Sequence, residues 1–317
     1  MSGSEMETVP VIECRGVTKV YKGLKMGGAT PVRALDDVSL QVGVGTIIGL
    51  IGPNGAGKTT FLSLIAGLIF PTEGLIRVCG HPARSVDARR NLGYVPETPV
   101  FLSRYSARAA LTHHAALRAV PRRAIATETD RLLAQVHLSE YAHRAVGGFS
   151  QGMKQRLALA VALLGDPKLL LLDEPSNGLD PIGVIELRRV LSELRESGAT
   201  IVISSHRLGE LERLTSEYVF LHRGRIVQFG GEAAPQQTGR LRIDLLPGRC
   251  SVTQELLDPY GLLEVSESGL VVSVGGIEDA PVVVGRLVNA GAAITGVALE
   301  TQDIEETFVR LCQERAS

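Results

Sequence analysis

The chain has 317 residues, with 33 Lys plus Arg against 34 Asp plus Glu and a formal charge of −1, a balance that argues against nucleic acid or an anionic membrane surface as its main partner. Its length leaves room for two domains at about 150 residues each. Four cysteines, Cys14, Cys79, Cys250 and Cys312, form no C-x-x-C pair, so neither a zinc site nor a disulfide framework is expected, and the longest apolar runs, Phe61 to Phe70 and Leu157 to Leu164, fall short of the roughly 18 residues of a membrane span.

Residues 1–10 read as an acidic tail without the basic and apolar regions of a signal peptide, and the expected compartment is the reducing cytosol. From Val11, short β-type runs alternate with turns, at Val11–Cys14, Val17–Tyr21 and Val38–Val42, and predict a small antiparallel sheet. The stretch between Tyr21 and Ala34 is glycine- and lysine-containing, has no periodicity and reads as a loop. An apolar strand over Thr46–Ile51 then runs into Gly52-Pro53-Asn54-Gly55-Ala56-Gly57-Lys58-Thr59-Thr60, with a helix opening near Lys58. Strand, glycine-rich turn and helix are the context a phosphate-binding loop needs: the glycines let backbone N–H groups turn onto phosphate oxygens, and the helix N-terminus adds partial positive charge. Lys58 is then expected to reach the outer phosphates, and the Thr59 hydroxyl to hold Mg²⁺. The competing reading is a glycine-rich turn with a surface lysine.

After Pro71 and Gly74 break the pattern, a strand is predicted over Leu75–Cys79, and Ser106 to about Tyr141 is helical with Pro121 as punctuation, within a helical insert at about 98–165. The adjacent His113 and His114 point about 100° apart on a helix and belong to a solvated face rather than a metal site. Ser150–Leu164 reads as a serine-capped helix, apolar on most sides and so buried. Lys168–Asp173 is a strand of four leucines of the kind covered on both faces; a helix over Ile182–Ser197 and a strand over Thr200–Ser204 continue a parallel α/β core. Residues 231–240 read as a linker. The remainder, 241–317, is expected to be a small α+β domain for packing or dimer contact, with strands at Leu241–Leu246, Leu262–Val265, Leu270–Val274 and Ala293–Leu299 and helices at Ala280–Asn289 and Asp303–Glu314.

Asp173 and Glu174 end the leucine strand. An Asp at the carboxyl end of a buried parallel strand faces the crevice where ligands bind and can hold a metal's water shell, and the Glu after it can polarise a water in line with the γ-phosphate. The alternative is a solvated surface turn. His206, ending Ile-Val-Ile-Ser-Ser-His, follows the next core strand and so falls at the same sheet edge.

Phe149-Ser150-Gln151-Gly152-Met153-Lys154-Gln155-Arg156 resembles the signature sequence of the ATP-binding cassette (ABC) ATPases, and further motifs of that family follow in order over roughly Val11 to Phe229. The resemblance implies an α/β P-loop core with an antiparallel β subdomain and a helical insert. It also implies that Tyr21 stacks on adenine, that Glu97 stands at the glutamine-loop position, that Ser176 to Asp180 is the loop after the hydrolytic glutamate, and that His206 is the switch histidine. Two residues depart from the pattern. Gln151 replaces a glycine, but Ser150 and Gly152, the cap hydroxyl and the close-approach backbone, remain. Glu97 replaces glutamine; it keeps an oxygen for Mg²⁺ or water, adds a negative charge, and is expected to modify coupling rather than abolish activity.

The family further implies ATP and Mg²⁺ as cofactors, and a head-to-tail homodimer or heterodimer in which Ser150 and Gly152 of one subunit complete the site begun by Lys58 of the other. By the same resemblance the chain powers export through a separate transmembrane permease, docked on the insert around Phe101 to Leu117, and lies on the inner face of the cell membrane. Tyr-Val-Pro-Glu, Met153 and the C-terminal Asp303 to Leu311 resemble that exporter branch. The competing class is a soluble ABC ATPase that uses ATP-driven closure as a regulatory switch.

Overall fold

The computed structural model describes residues 9–22, 30–206, 215, 217–230, 239–246, 257, 260–266, 269–275 and 277–300. The chain forms two compact units that divide after Gly230. In the first, β1 (Ile12–Tyr21) and β2 (Val32–Val42) pair antiparallel. The three short runs expected here are thus two long strands. Register shifts between Cys14 and Val17 and around Lys19 bend them without ending the pairing, and Gly16 and Asp37, at φ 59° and 53°, sit where the sequence reads as broken. β3 (Ile47–Ile51) and α1 (Lys58–Ile65) flank the phosphate loop, and β4 (Glu73–Val78) and β5 (His81–Pro82) complete an antiparallel sheet in the order β2-β1-β4-β5.

The remaining core elements are α2 (Val86–Arg90), β6 (Leu92–Val95), β7 (Leu169–Leu172), α6 (Pro181–Glu196), β8 (Thr200–Ser205), β9 (Glu217–His222) and β10 (Arg225–Gly230). Their strands form a second sheet with β3, in the order β10-β9-β3-β8-β7-β6, parallel except for β10. β3, β7 and β8 are buried along their whole length, as strands covered on both faces must be. Pairing of Ile51 with Ser205, Leu172 with Ile203 and Val95 with Leu172 brings four carboxyl ends to one edge, and Gly52, Glu97, Asp173 and His206 leave the sheet there. The hairpin of β9 and β10 is absent from the sequence-based expectation. Its signal is Arg223-Gly224, both at positive φ, between two apolar runs.

Between β6 and β7 lies the helical insert: α3 (Ala107–Leu117), α4 (Arg122–Gln135) and α5 (Gln151–Leu163). Arg118, just past α3, donates to Arg89 O and Leu92 O at 2.9 and 2.8 Å and so ties the insert to the start of β6. Buried Arg156 holds the end of α4 through Val136 O and His137 O and pairs with Glu186 of α6 at 2.7 Å. His113 is exposed and edge-on to Tyr105, and His114 lies against Phe101. No cluster of three or more metal-ligating side chains occurs among the described residues. No helix among them is long and apolar enough to cross a membrane.

The second unit contains β11 (Gly239–Leu245), β12 (Gly261–Ser266), β13 (Gly269–Val274), α7 (Ala280–Asn289) and β14 (Ile294–Glu300). The strands are antiparallel in the order β12-β13-β11-β14, so the β13-α7-β14 connection crosses over β11. Val283 and Leu287 of α7 pack with Leu241, Ile243, Leu270, Val272 and Val274. Gly239 and Arg240, expected at the end of the linker, belong to β11. The helix expected over Asp303–Glu314 lies outside the described residues.

Candidate active site

Two glycines of the phosphate loop leave no room for a side chain. A Cβ on Gly52 would meet Leu221 O at 2.3 Å, and one on Gly57, at φ 108°, would meet Ala34 O at 2.5 Å. α1 opens without a side-chain cap, whereas α5 and α6 are capped by Ser150 and Asp180. The first N–H groups of α1 are therefore available to an anion. Buried Lys58 curls back over the loop, donating to Gly52 O at 2.7 Å, with its Nζ 3.2 Å from Glu174 Oε1.

Asp173 is 1% exposed, and its carboxylate is held from three sides. Oδ1 accepts from Ser204 Oγ at 2.7 Å and from Thr59 Oγ1 at 3.2 Å, and Oδ2 from Tyr94 OH at 3.5 Å. Burial pushes the Asp173 carboxyl above its ordinary value, the Ser204 and Thr59 bonds pull it back, and the neighbouring Glu174 charge raises it again. The Tyr94 hydroxyl is pushed up to about 12, first by burial and then by the Asp173 charge. Ser204 also accepts from Glu174 N at 2.8 Å, so one hydroxyl fixes the Asp173 carboxylate and the Glu174 backbone.

Glu174 has φ 45°, a left-handed conformation that costs a non-glycine residue about 1–3 kcal/mol. The cost is offset by the Ser204 bond and by His206, whose backbone N–H and Nδ1 approach Glu174 Oε2 at 3.3 and 2.8 Å. A carboxylate only accepts, so Nδ1 carries the proton in this pair.

Phosphate loop, Glu97, Glu174, Asn177 and His206 line one cavity of about 610 Å³, bounded on the β2 side by Val32, Arg33 and Ala34. Of the expected site residues, Asn54, Gly55, Ala56, Gly57, Lys58, Thr59, Thr60, Glu97, Glu174 and His206 lie in its wall, and Gly52 and Asp173 join it through Lys58 and Thr59. Ser150, Gln151, Gly152, Asp180 and Tyr21 do not. Ser150 Oγ accepts from Met153 N at 3.2 Å and Asp180 Oδ1 from Gly183 N at 2.9 Å, and a Cβ on Gly152 would lie 3.5 Å from Gly183 Cα, so the N-termini of α5 and α6 pack together. Tyr21 is exposed at the end of β1 with Lys19 Nζ 5.0 Å from its ring centroid. Sequence reasoning missed Tyr94, Asn177, Ser204 and Arg33; of these, the serine closing the apolar run Ile201-Val202-Ile203 was the readable one.

Thr59 and Asp173 offer oxygen donors to one point, as a hard divalent cation requires, so the residues present fit Mg²⁺ beside a nucleotide.

The family profile described as ABC transporter matches residues 35–177. An uncharacterized ABC transporter ATP-binding protein of Bacillus subtilis, YxlF, is 33% identical over 88% of this chain and 94% of its own length. The bacitracin transport ATP-binding protein BcrA of Bacillus licheniformis is 38% identical over 69% of each chain, and the lantibiotic transport ATP-binding protein SrtF of Streptococcus pyogenes is 40% identical over 61% of this chain and 82% of its own. Among solved structures, an ATP-binding subunit of an ABC transporter superposes with a TM-score of 0.60 at 31% identity, covering 70% of this chain and 90% of its own. A dimeric ATP-binding cassette in a post-hydrolysis state, bound to ADP and Pi, does so with 0.62 at 25%, covering 69% and 98%. A relative alike over nearly its whole length places the chain in the ABC transporter family, among its ATP-binding, ATP-hydrolysing subunits.

Proposed function

We propose that the chain powers export through a separate transmembrane permease and works as a homodimer or heterodimer in which each ATP is shared between the phosphate loop of one subunit and the signature turn of the other. The observation that carries this reading is the meeting of Lys58, Thr59, Glu174 and His206 in one cavity under an uncapped helix N-terminus, with Asp173 bonded to Thr59 behind it. Lys58, 3.2 Å from Glu174, is shared between that carboxylate and the outer phosphates. Glu174 orients the attacking water and polarises it, and His206 fixes Oε2 so that the carboxylate keeps its aim. Held at Thr59 and Asp173, with Glu97 within reach, Mg²⁺ would neutralise charge on the β- and γ-phosphates. Tyr21 stacks on the adenine, and Ser150, Gln151, Gly152 and Asp180 belong to the face that the partner subunit meets.

In this reading residues 11–230 are the ATPase, 231–240 the linker and 241–317 an accessory domain, and the chain sits peripherally on the inner face of the membrane through the permease. Exposed Val100, Leu102 and Leu117 supply apolar contact for that docking on the insert. The transport relatives support this assignment and make peptide antibiotics the first cargo class to test; they lend no support to a regulatory switch without transport. Glu174→Gln tests the core of it: the variant is expected to bind ATP, dimerise on binding it and stop turning over. ATP-dependent dimerisation absent from that variant would overturn the shared-site arrangement.

A further inference from the structure

Asn177 lies in the turn after Glu174, and its two ends face different partners. Its backbone N–H donates to Glu174 O at 3.0 Å, closing the turn that holds Glu174 at φ 45°. Its side-chain amide donates to Glu97 Oε1 at 2.6 Å, across 80 residues of sequence. A carboxylate offers no proton, so the amide nitrogen, not its oxygen, faces Glu97, and the bond is of the short charge-assisted kind. Both side chains line the phosphate-loop cavity. Glu97 stands just past β6, where the chain leaves the sheet for the helical insert.

The other charged groups around the cavity are bonded elsewhere. Lys58 and His206 face Glu174, Arg33 faces Asp36, and Asp173 takes its bonds from Thr59, Ser204 and Tyr94. We infer that Asn177 is a positioning residue that couples the Glu97 segment to the hydrolytic turn, so that a displacement of the insert reaches Glu174 through one hydrogen bond. The inference rests on the proposed roles of Glu174 and Glu97. It goes beyond them in assigning the link to Asn177, whose side-chain amide is bonded to Glu97.

The test is ATP turnover by the full chain, read as kcat and KM separately across pH, for N177A, N177D, E97Q and the exchange E97Q/N177D. N177A is expected to lower kcat about tenfold while KM for ATP stays within about twofold. N177D sets two carboxylates against each other, which raises one of their pKa values; its rate relative to the unmodified chain should climb as pH falls from about 8 to about 6, where the pair shares a proton. E97Q alone keeps an accepting oxygen toward Asn177. The exchange swaps donor and acceptor, and should recover kcat to within about threefold without the climb at low pH. An unaltered kcat in N177A, a flat pH ratio in N177D, or an exchange no better than N177D would each overturn the coupling. Glu174→Gln turning over at the normal rate would instead overturn the hydrolytic reading, and the exchange would still judge the Asn177 link.

Discussion

Lys58 pairs with Glu174 and Thr59 with Asp173 across more than a hundred residues of sequence, and His206 closes on Glu174 from the next strand end, whereas the Ser150 hydroxyl is bonded within its own helix and Gly152 rests on the start of α6. The first group is locked before any ligand arrives: the Ser204 hydroxyl fixes the Asp173 carboxylate and the Glu174 backbone, and the backbone strain at Glu174 is held by its neighbours. The second is a capped helix start outside the cavity wall, with Ser150 exposed and Gly152 buried against α6. That difference is what the proposed division of the site between subunits requires: a preorganised half for the chemistry, and a second half free to approach and leave.

The sharpest way to break this comparison is complementation. Lys58→Ala and Ser150→Glu are each expected to lose turnover by about a thousandfold, the second because a carboxylate added at the signature turn repels the triphosphate while still suiting a helix N-terminus. Mixed in equal amounts, half the dimers should be mixed and each should hold one intact site, restoring about a quarter of the normal rate. No recovery would mean that Ser150 does not serve a partner's phosphate loop, and the two groups would then be unrelated.

Asp173 tests the preorganised half from the side of stability. A buried acid whose folded pKa is raised above its unfolded value binds its proton more tightly when folded. Its charge therefore costs stability at neutral pH, and the cost fades as pH falls through the raised value toward the ordinary carboxylate range. Asp173→Asn keeps an oxygen for Thr59 and Ser204 and removes the charge. Without nucleotide it should melt about 2–4 °C higher at pH 7.5, the difference shrinking near pH 4, while Mg²⁺-dependent turnover falls about a hundredfold. A lower melting temperature at pH 7.5 would show that the carboxylate stabilises the fold instead of being tolerated for function.

Much of this division could be read from the chain before it was folded, because the chemistry sits at the ends of strongly patterned elements. Lys58, Asp173 and His206 each follow an apolar parallel strand, and such strands must end at one edge. What stayed hidden was set by partners distant in sequence. Asn177 reads as one more residue of the loop after Glu174, with no role of its own, until Glu97 is beside it. Tyr94 gains meaning from Asp173, and Arg33 enters the cavity wall because β2 runs on past a bend that reads as a break. α2 and β6 were missed for being short, and Tyr21, placed by resemblance alone, stands exposed beside Lys19.

Gln151 offers the smallest effect and the finest cut between the two halves. It stands where the family has glycine, and its Cγ lies 3.9 Å from where a Cβ on Gly178 would sit, so its stem packs along the turn after Glu174 in the same chain. If the phosphate contact belongs to the Ser150 hydroxyl and the Gly152 backbone, the Gln151 side chain is a brace between the signature turn and that loop. Gln151→Gly should then lower the melting temperature by about 2–4 °C, from lost packing and added backbone freedom at the first helical position. ATP turnover should stay within about threefold and KM for ATP should hold, since the contacts to nucleotide are intact. A tenfold rise in KM with no change in melting temperature would place the Gln151 amide on the partner's nucleotide. The signature half would then contribute a side chain of its own to substrate binding, where the fold shows one packed against the turn after Glu174.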